Sequence, residues 1–316
     1  MEVEVWDVFA ARALEGNALA VVPDADAPDA ATMQAVAREF ALSETVFVRP
    51  GPGGRPRLRI FTPARELPTA GHPTIGAAFA LDRRGRLAGP SATFELGIGP
   101  VEVRLERDAH GRLVRAWMDQ GRPRRLQAAL DRTAAARALH LDEGALDPGL
   151  PVEVWSVGNP FLLVPVANAD ALARAALTLA RLDGLIPAEH RAVLAFVPPR
   201  GGGPVRCRMF GEALGVVEDP GTGSAHGPLA AYLARHGRVP RPRGDEATDV
   251  ASVQGVEMGR PSHLTMRLRA LPDGVATEAA AADVRVAVGG AAIRVMHGTL
   301  DLAGGEGATV AGASEP

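Results

Sequence analysis

Glu66-Leu67-Pro68-Thr69-Ala70-Gly71-His72 runs straight into an apolar helical stretch, Pro73 to Leu81, and Glu218-Asp219-Pro220-Gly221-Thr222-Gly223-Ser224 runs into another, Ala225 to Leu233. Each follows a strand end built on arginine and phenylalanine, Arg59-Ile60-Phe61 in one case and Arg208-Met209-Phe210 in the other. A glycine turn feeding a helix start points unpaired backbone N–H groups, and the positive end of the helix dipole, at whatever lies in front of it. Such a turn is an anion cradle. Two cradles in one chain predict a pocket made by two facing half-molecules.

The repetition reaches beyond the helix starts. Val3-Glu4-Val5-Trp6 returns as Val152-Glu153-Val154-Trp155 at an offset of 149 residues, and Phe61 and Phe210 share that offset. Gly16-Asn17 returns as Gly158-Asn159 at an offset of 142, each pair leading an apolar strand, Ala18–Val22 and Pro160–Val166. At the helix starts the offset is 150 to 152, so short insertions separate two copies of one unit.

A coarse reading of each half agrees. The first half predicts strands at Val3–Val8 and Ala18–Val22, a helix at Ala30–Phe40, strands at Thr45–Val48 and Leu58–Phe61, the helix after Gly71, and strands at Ala92–Leu96, Val101–Leu105 and Leu113–Met118. The second half predicts strands at Val152–Trp155 and Phe161–Val166, a helix across Asp170–Leu182, and strands at Val193–Val197 and around Cys207. The helix after Gly223 follows, then closing strands near Leu264–Leu268, Val284–Val288 and Ala292–Val295. Two helices among many strands suggest an α+β half in which a curled sheet wraps one helix, rather than a doubly wound layer. The expected domains are residues 1–121 and 122–303, with the final strand able to cross back to the first, and a flexible Gly/Ala-rich tail over 304–316.

At 316 residues the chain is long enough for two cores, and a net charge of −3 offers no field for nucleic acid and no polybasic membrane patch. No run of 18 or more uncharged apolar residues occurs, and the acidic Met1-Glu2-Val3-Glu4 reads as a strand rather than a secretory signal, so a cytoplasmic protein is expected. All 34 basic residues are arginine. Without lysine, Schiff-base chemistry, a pyridoxal phosphate aldimine and a Walker-type phosphate loop are excluded. Cys207 is the single cysteine, so no internal disulfide and no two-thiol mechanism can operate, and its strand-like setting reads as a small buried side chain.

Taken bare, the geometry asks for a substrate bearing one or two carboxylates, held by backbone donors at the two helix starts. His72 and Ser224 occupy similar places there; His72 can relay a proton, and Ser224 can hydrogen-bond a carboxylate or cap its own helix. Glu44, where a strand opens in Ser43-Glu44-Thr45-Val46-Phe47-Val48, is a candidate base whose pKa rises if the cleft desolvates it. Asp219 can supply a facing carboxylate or serve the Asp-Pro turn. His226, just inside the second motif, either faces the cleft or packs against the sheet, and packing is the expectation. Gly221-Thr222-Gly223-Ser224-Ala225-His226-Gly227 has the wrong spacing for a dinucleotide fingerprint, and His226 and His236 lack acidic or cysteine partners for a metal.

Together, Gly16-Asn17-Ala18-Leu19-Ala20-Val21-Val22, Ser43-Glu44-Thr45-Val46-Phe47, Phe61-Thr62-Pro63, Glu66-Leu67-Pro68, Gly71-His72-Pro73-Thr74 and Glu218-Asp219-Pro220-Gly221-Thr222-Gly223-Ser224-Ala225 resemble the PhzF-like phenazine-biosynthesis isomerase family from about Val3 to Leu302. That family is similar in fold to diaminopimelate epimerase and proline racemase. The resemblance implies two pseudo-symmetric domains, each a curled mixed sheet or barrel around a central helix, with the site between them. It also implies a cofactor-free isomerase that moves a proton on a small carboxylate substrate. Glu44 falls on the family's acid/base position, His72, Asp219 and Ser224 on substrate-contacting positions, and Gly71 and Gly223 on anion-binding turns. Asn17 and Ser43, from two of the same motifs, complete the candidate substrate-binding set. In the related epimerases a cysteine stands in each helix-start motif; the matching positions are expected to be Ala70 and Pro220 here.

Three functions stay open at this point. The leading one is an isomerase in which Glu44 takes a proton from one carbon and returns it to another. An epimerase or racemase would need acid/base groups on both faces of the substrate, from Glu44 with Asp219 or His72. A catalytically silent small-molecule binder is the third. No cofactor or metal is expected, and a homodimer is only the commonest default.

Overall fold

The computed structural model describes residues 1–302 except 27, 188, 189, 191, 212–215 and 272–280; the expected tail over 304–316 lies outside them. The first half runs β1 (Glu2–Val8), β2 (Asn17–Val22), α1 (Ala30–Phe40), β3 (Glu44–Pro50), β4 (Pro56–Phe61), β5 (Glu66–Leu67), α2 (Gly71–Arg83), β6 (Ser91–Leu96), β7 (Gly99–Arg107) and β8 (Leu113–Asp119). After β9 (Arg124–Gln127) and α3 (Arg132–Ala138), the second half repeats the order. It runs β10 (Glu153–Ser156), β11 (Pro160–Pro165), α4 (Ala169–Arg174), β12 (Ala192–Val197), β13 (Val205–Gly211), β14 (Val216–Asp219), α5 (Gly223–Arg235), β15 (Ala247–Gln254), β16 (Ser262–Ala270) and β17 (Val284–Gly290), and β18 (Ala292–Thr299) closes the chain.

Pairing repeats as faithfully as order. β2 runs parallel to β3, and β11 runs parallel to β12. β3 and β4 are antiparallel, as are β12 and β13. The links from β4 to β6 and from β13 to β15 are parallel. β8 and β17 pair antiparallel and join the halves into one continuous sheet among the described residues. The strand after each half pairs into the other: β9 lies on β10, and β18 lies on β1. A two-fold pseudo-symmetric α+β molecule results.

Two helices are buried nearly all round, which is why each needs a sheet curled about it. α2 buries every residue from His72 to Leu81, and α5 buries every residue from Gly223 to Ala234 except Ser224. Their closely spaced small residues let strands approach. A Cβ on Gly76 would meet the Leu19 Cδ2 at 2.4 Å and the Val8 Cγ2 at 2.9 Å, so α2 can lie against β1 and β2 only with glycine there.

The same frame braces each half. Trp6 donates its indole N–H to Glu4 at 2.7 Å, and Trp155 donates to Glu153 at 2.7 Å. The repeated Glu-Val-Trp stretch therefore carries a buried carboxylate whose partner lies two residues on, on the same strand face.

One predicted element is corrected. The helix expected over Asp170–Leu182 ends at Arg174; Ala175 is extended, and a short 3₁₀ turn follows at Leu179–Leu182. The chain leaves the helix to hydrogen-bond the end of α3, where Ala176 N donates to Leu139 O and Thr178 N to Ala138 O. The carbonyls freed at the end of α4 are taken by Arg208, which donates to Leu172, Ala173 and Ala175 at 3.1, 3.0 and 2.6 Å. α3, β5, β9, β14 and β15 were not expected; β14 ends at Asp219, just before the Gly221-Thr222-Gly223 turn, where no strand was read. No helix among the described residues is long and apolar enough to cross a membrane.

Candidate active site

The two helix starts meet. A Cβ on Gly71 would lie 3.5 Å from the Ser224 nitrogen and 3.6 Å from the Gly223 Cα, so α2 and α5 abut at their N-terminal ends. Neither N-cap residue, Ala70 or Thr222, caps its helix through a side chain. These two residues hold equivalent places at the two helix starts, and Pro220 lies two residues before Thr222. Ser224 lies inside the first turn, not at the N-cap.

Glu44 opens β3 beside this junction. Its Oε2 lies 3.2 Å from the His72 Nε2, close but not aligned for a hydrogen bond, and both atoms are buried without a hydrogen-bond partner. Burial, and then the charge of Asp219, pushes the Glu44 carboxyl up from 4.5 to about 8. Burial alone lowers His72 from 6.5 to about 3, so its imidazole is neutral. At neutral pH the ring is uncharged, while the carboxyl is mostly protonated with an ionised fraction in equilibrium.

Asp219, at the end of β14, is 6% exposed and fully engaged. Its Oδ1 accepts from the Asn17 amide at 2.8 Å and from the Ser43 hydroxyl at 3.3 Å, while Oδ2 accepts from the Thr222 hydroxyl. Burial raises its pKa, against the opposing pull of these donors. Asn17 uses its other N–H on the Gly221 carbonyl at 3.1 Å, which leaves only a 3.4 Å approach to the His72 Nδ1. Hence Asn17, Ser43, Glu44 and His72 from the first half are assembled with Asp219, Gly223 and Ser224 from the second, and Gly71 forms part of the contact.

His226 is fully buried. Its Nδ1 meets the Thr222 carbonyl at 2.8 Å and its Nε2 the Ser252 hydroxyl at 2.9 Å, so it packs against the sheet as expected. A carbonyl facing Nδ1 assigns the proton to that nitrogen, and burial lowers the ring to about 4. Cys207 is buried too, with its thiol pushed up to about 12 by desolvation.

Three residues that sequence reading overlooked hold this assembly. Gln254 donates to the Asp219 carbonyl at 2.6 Å and to the Thr222 hydroxyl at 3.0 Å, and accepts from the Thr222 nitrogen at 3.3 Å. Arg260 reaches across the halves to the Gly16 carbonyl at 2.8 Å, the Glu15 carbonyl at 2.8 Å and Asp7 at 2.6 Å. Phe9, at φ 63°, is fully buried in the left-handed region where a bulky side chain is costly. Its ring lies under Gly221, Gly223 and Gly290, where added Cβ atoms would meet it at 3.2, 3.4 and 2.4 Å. Ser252 and Gln254 lie on the inward face of Ala247–Gln254, where polar residues break the apolar alternation by which a strand is read.

This junction and its frame can be set beside known proteins. The phenazine biosynthesis-like protein family matches residues 6–298. The chain belongs to that family. A trans-2,3-dihydro-3-hydroxyanthranilate isomerase of Pseudomonas fluorescens is 40% identical over 266 residues, covering 82% of this chain and 87% of that protein. The crystal structure of a Bacillus anthracis phenazine biosynthesis protein of the PhzF family superposes with a TM-score of 0.83 at 25% identity, covering 96% of this chain and 99% of the other. A probable proline racemase from Agrobacterium radiobacter K84, 12% identical, superposes at 0.62 over 95% of this chain and 93% of the other, which shows the shared diaminopimelate epimerase-like fold. The protein is an enzyme of the isomerase class, as its PhzF-family relatives are.

Proposed function

We propose that this isomerase works without a cofactor, moving a proton on a small carboxylate-bearing substrate, with Glu44 as general acid and base. The observation that carries this reading is the Glu44 carboxyl itself. It is shielded, raised to about 8, free of hydrogen-bond partners at Oε2, and set beside two abutting helix starts. A group with a pKa near the working pH can both take and return a proton efficiently.

In the proposed reaction the substrate carboxylate sits at the uncapped N–H groups of the first turns of α2 and α5. Glu44, ionised, removes a proton from a carbon activated by that carboxylate or by an adjoining double bond. The electron pair moves into the conjugated system, and the helix ends stabilise the enolate-like charge that builds there. Glu44 then delivers the proton to a different carbon, and the double bond has moved with no change of oxidation state. His72, neutral, and Ser224 orient the substrate by hydrogen bonds, and Asp219 fixes Asn17, Ser43 and Thr222 around it. The relatives' name gives the substrate class its first candidate, an unsaturated ring acid such as trans-2,3-dihydro-3-hydroxyanthranilate.

A second reading, epimerisation, is favoured by one observation: Asp219 is near enough for its charge to act on Glu44. Both Asp219 oxygens are already occupied by donors, which suits a holder of the site better than a second proton carrier. Proton NMR in deuterium oxide, over a panel of cyclic and acyclic carboxylic acids, tests both. The expected result is enzyme-dependent exchange at a C–H with a shifted double bond, absent in Glu44→Gln. Inversion at a single carbon would select the epimerase, and undiminished exchange in Glu44→Gln would remove Glu44 from the reaction.

A further inference from the structure

On the outer face of the sheet, where the halves join, a cavity of about 160 Å³ is lined by Arg104, Trp117, Arg267, Arg269 and Arg285, with Glu102 and Asp119. It sits at the pseudo-two-fold axis. Met118 pairs with Val288 across β8 and β17, Val103 pairs with Met118, and Met266 pairs with Val288. Arg104 and Arg267, each one residue further along its strand, are therefore symmetry equivalents that approach the axis from opposite sides.

The arginines are not alike. Arg267 is fixed: it forms a two-pronged pair with Asp249 at 2.7 and 2.6 Å and stacks 4.0 Å from the Trp117 ring centroid. Arg285 pairs with Asp119 at 3.1 Å, but both side chains are half exposed, so that contact is weak and displaceable. Arg104 and Arg269 make no ion pair among the described residues. Arg269 also stands directly opposite Arg285 on neighbouring antiparallel strands, where like charges destabilise the sheet. With Arg267 balanced by Asp249 and Arg285 by Asp119, Arg104 and Arg269 face only Glu102, which leaves a positive surplus in the lining of a protein whose net charge is −3. Guanidinium forks suit the oxygens of phosphate and carboxylate groups, and this volume admits a polyatomic anion.

We propose that this cavity is a second binding site, separate from the Glu44 cleft, for a small multivalent anion carrying phosphate or carboxylate groups. The anion bridges Arg104 and Arg269 and relieves the repulsion between Arg269 and Arg285. Trp117 is only 2% exposed, so it is the floor of the site and not a stacking platform for an aromatic ligand.

Pyrophosphate and citrate, titrated calorimetrically into the full-length protein at low and matched ionic strength, distinguish the two anion chemistries. The expected result is binding of at least one of them, weakened at least tenfold in Arg104→Gln/Arg269→Gln and in the milder Arg269→Gln, with both variants folded and melting at or above the wild type, since each removes the Arg269–Arg285 repulsion. Phenylglyoxal labelling read by peptide mass spectrometry locates the site: the anion should protect Arg104 and Arg269. Binding that survives the double substitution, or protection only at other arginines, would overturn the proposal. So would variants that change the oligomeric mass and leave anion affinity untouched, because the face would then be a contact between copies. The Glu44 reading is unaffected by any of these outcomes, since no residue of that site is altered.

Discussion

The two halves share a frame and differ in their chemistry. In the first, Glu4 takes the Trp6 indole and, at 3.0 Å, Arg84 from the end of α2; in the second, Glu153 takes the Trp155 indole and, at 3.2 Å, His236 from the end of α5. Arg59 forks onto Glu66 at 2.7 and 2.6 Å with its guanidinium 5.2 Å from the Phe61 centroid. Arg208 forks onto Glu218 at 2.8 and 2.8 Å and lies 4.9 Å from Phe210. At the reactive positions the correspondence stops. Glu44 pairs with Leu19, two residues after Asn17, while Ala192 pairs with Phe161, two residues after Asn159, so the place of Glu44 is filled by alanine in the second half. Counting from the helix starts, His72 answers Ser224 and Leu67 answers Asp219. Asn17 is buried in the site, whereas Asn159 is exposed. Two like frames are needed to bring two helix starts together, but the single proton carrier proposed above needs only one acid.

The strongest way to break that comparison is to remove the acid. Glu44→Gln keeps the shape of the neutral carboxyl and should lower turnover about 10³-fold, within the range for loss of a general acid/base. Ala192→Gly, at the equivalent place, should leave turnover at the wild-type level. Steady-state rates on any substrate found by the exchange screen decide it; similar losses in both variants would mean that the site is not asymmetric.

The frames themselves should prove unequal. Arg208→Ala strands a carboxylate with 15% side-chain exposure and three helix-end carbonyls, so it should cost about 3–5 kcal/mol, as removal of one buried partner does. Arg59→Ala strands Glu66, whose side chain is 42% exposed, and should cost about 1 kcal/mol or less. Urea unfolding of the two variants measures the difference, and equal losses would show that the carbonyl contacts of Arg208 contribute nothing.

How much of this was legible in the sequence follows from the same division. The helix starts, the Glu-Val-Trp strands and the Arg–Phe strand ends are local and repeated, so they announce the fold and most of the candidate site. α1 was read at its observed bounds because Asp29 caps it and an apolar stripe recurs at helical spacing. β15 was missed because its inward positions include Ser252 and Gln254, which satisfy polar groups across the core and so hide the alternation of a strand. α4 was read too long because its end is set by Arg208, 34 residues further along the chain than Arg174 and invisible to any local pattern. Phe9 gave no sign of its left-handed backbone, since only the surrounding glycines make room for it.

Stability as a function of pH sharpens the asymmetry further. Glu44 is raised from 4.5 in its ordinary state to about 8 in the fold, so the folded chain keeps a proton that the unfolded chain releases. Its contribution is therefore lost as pH rises from about 4.5 to 8. Glu44→Gln removes that loss and should melt above the wild type at pH 9, by on the order of 2–4 kcal/mol, with the gap closing toward pH 4.5. His72 and His226 act at the other limb: lowered from 6.5 to about 3 and about 4, they bind protons in the unfolded state first, so both variants should lose stability as pH falls below 6.5. Thermal melts across pH 4.5–9 check both signs, and a wild type that gains on Glu44→Gln at high pH would remove the buried carboxyl from the account.

The smallest expected effect concerns the equivalent of His72. Ser224 is partly exposed, sits inside the first turn of α5 and does not cap it. Ser224→Ala should therefore leave stability within about 0.5 kcal/mol, where loss of a true N-cap costs about 1 kcal/mol. If its hydroxyl binds the substrate carboxylate equally in the ground and transition states, the same variant raises KM severalfold and leaves kcat alone. A fall in kcat with KM unchanged would instead place the hydroxyl on charge that develops only during proton transfer. The second half would then share in the chemistry, not only in the frame.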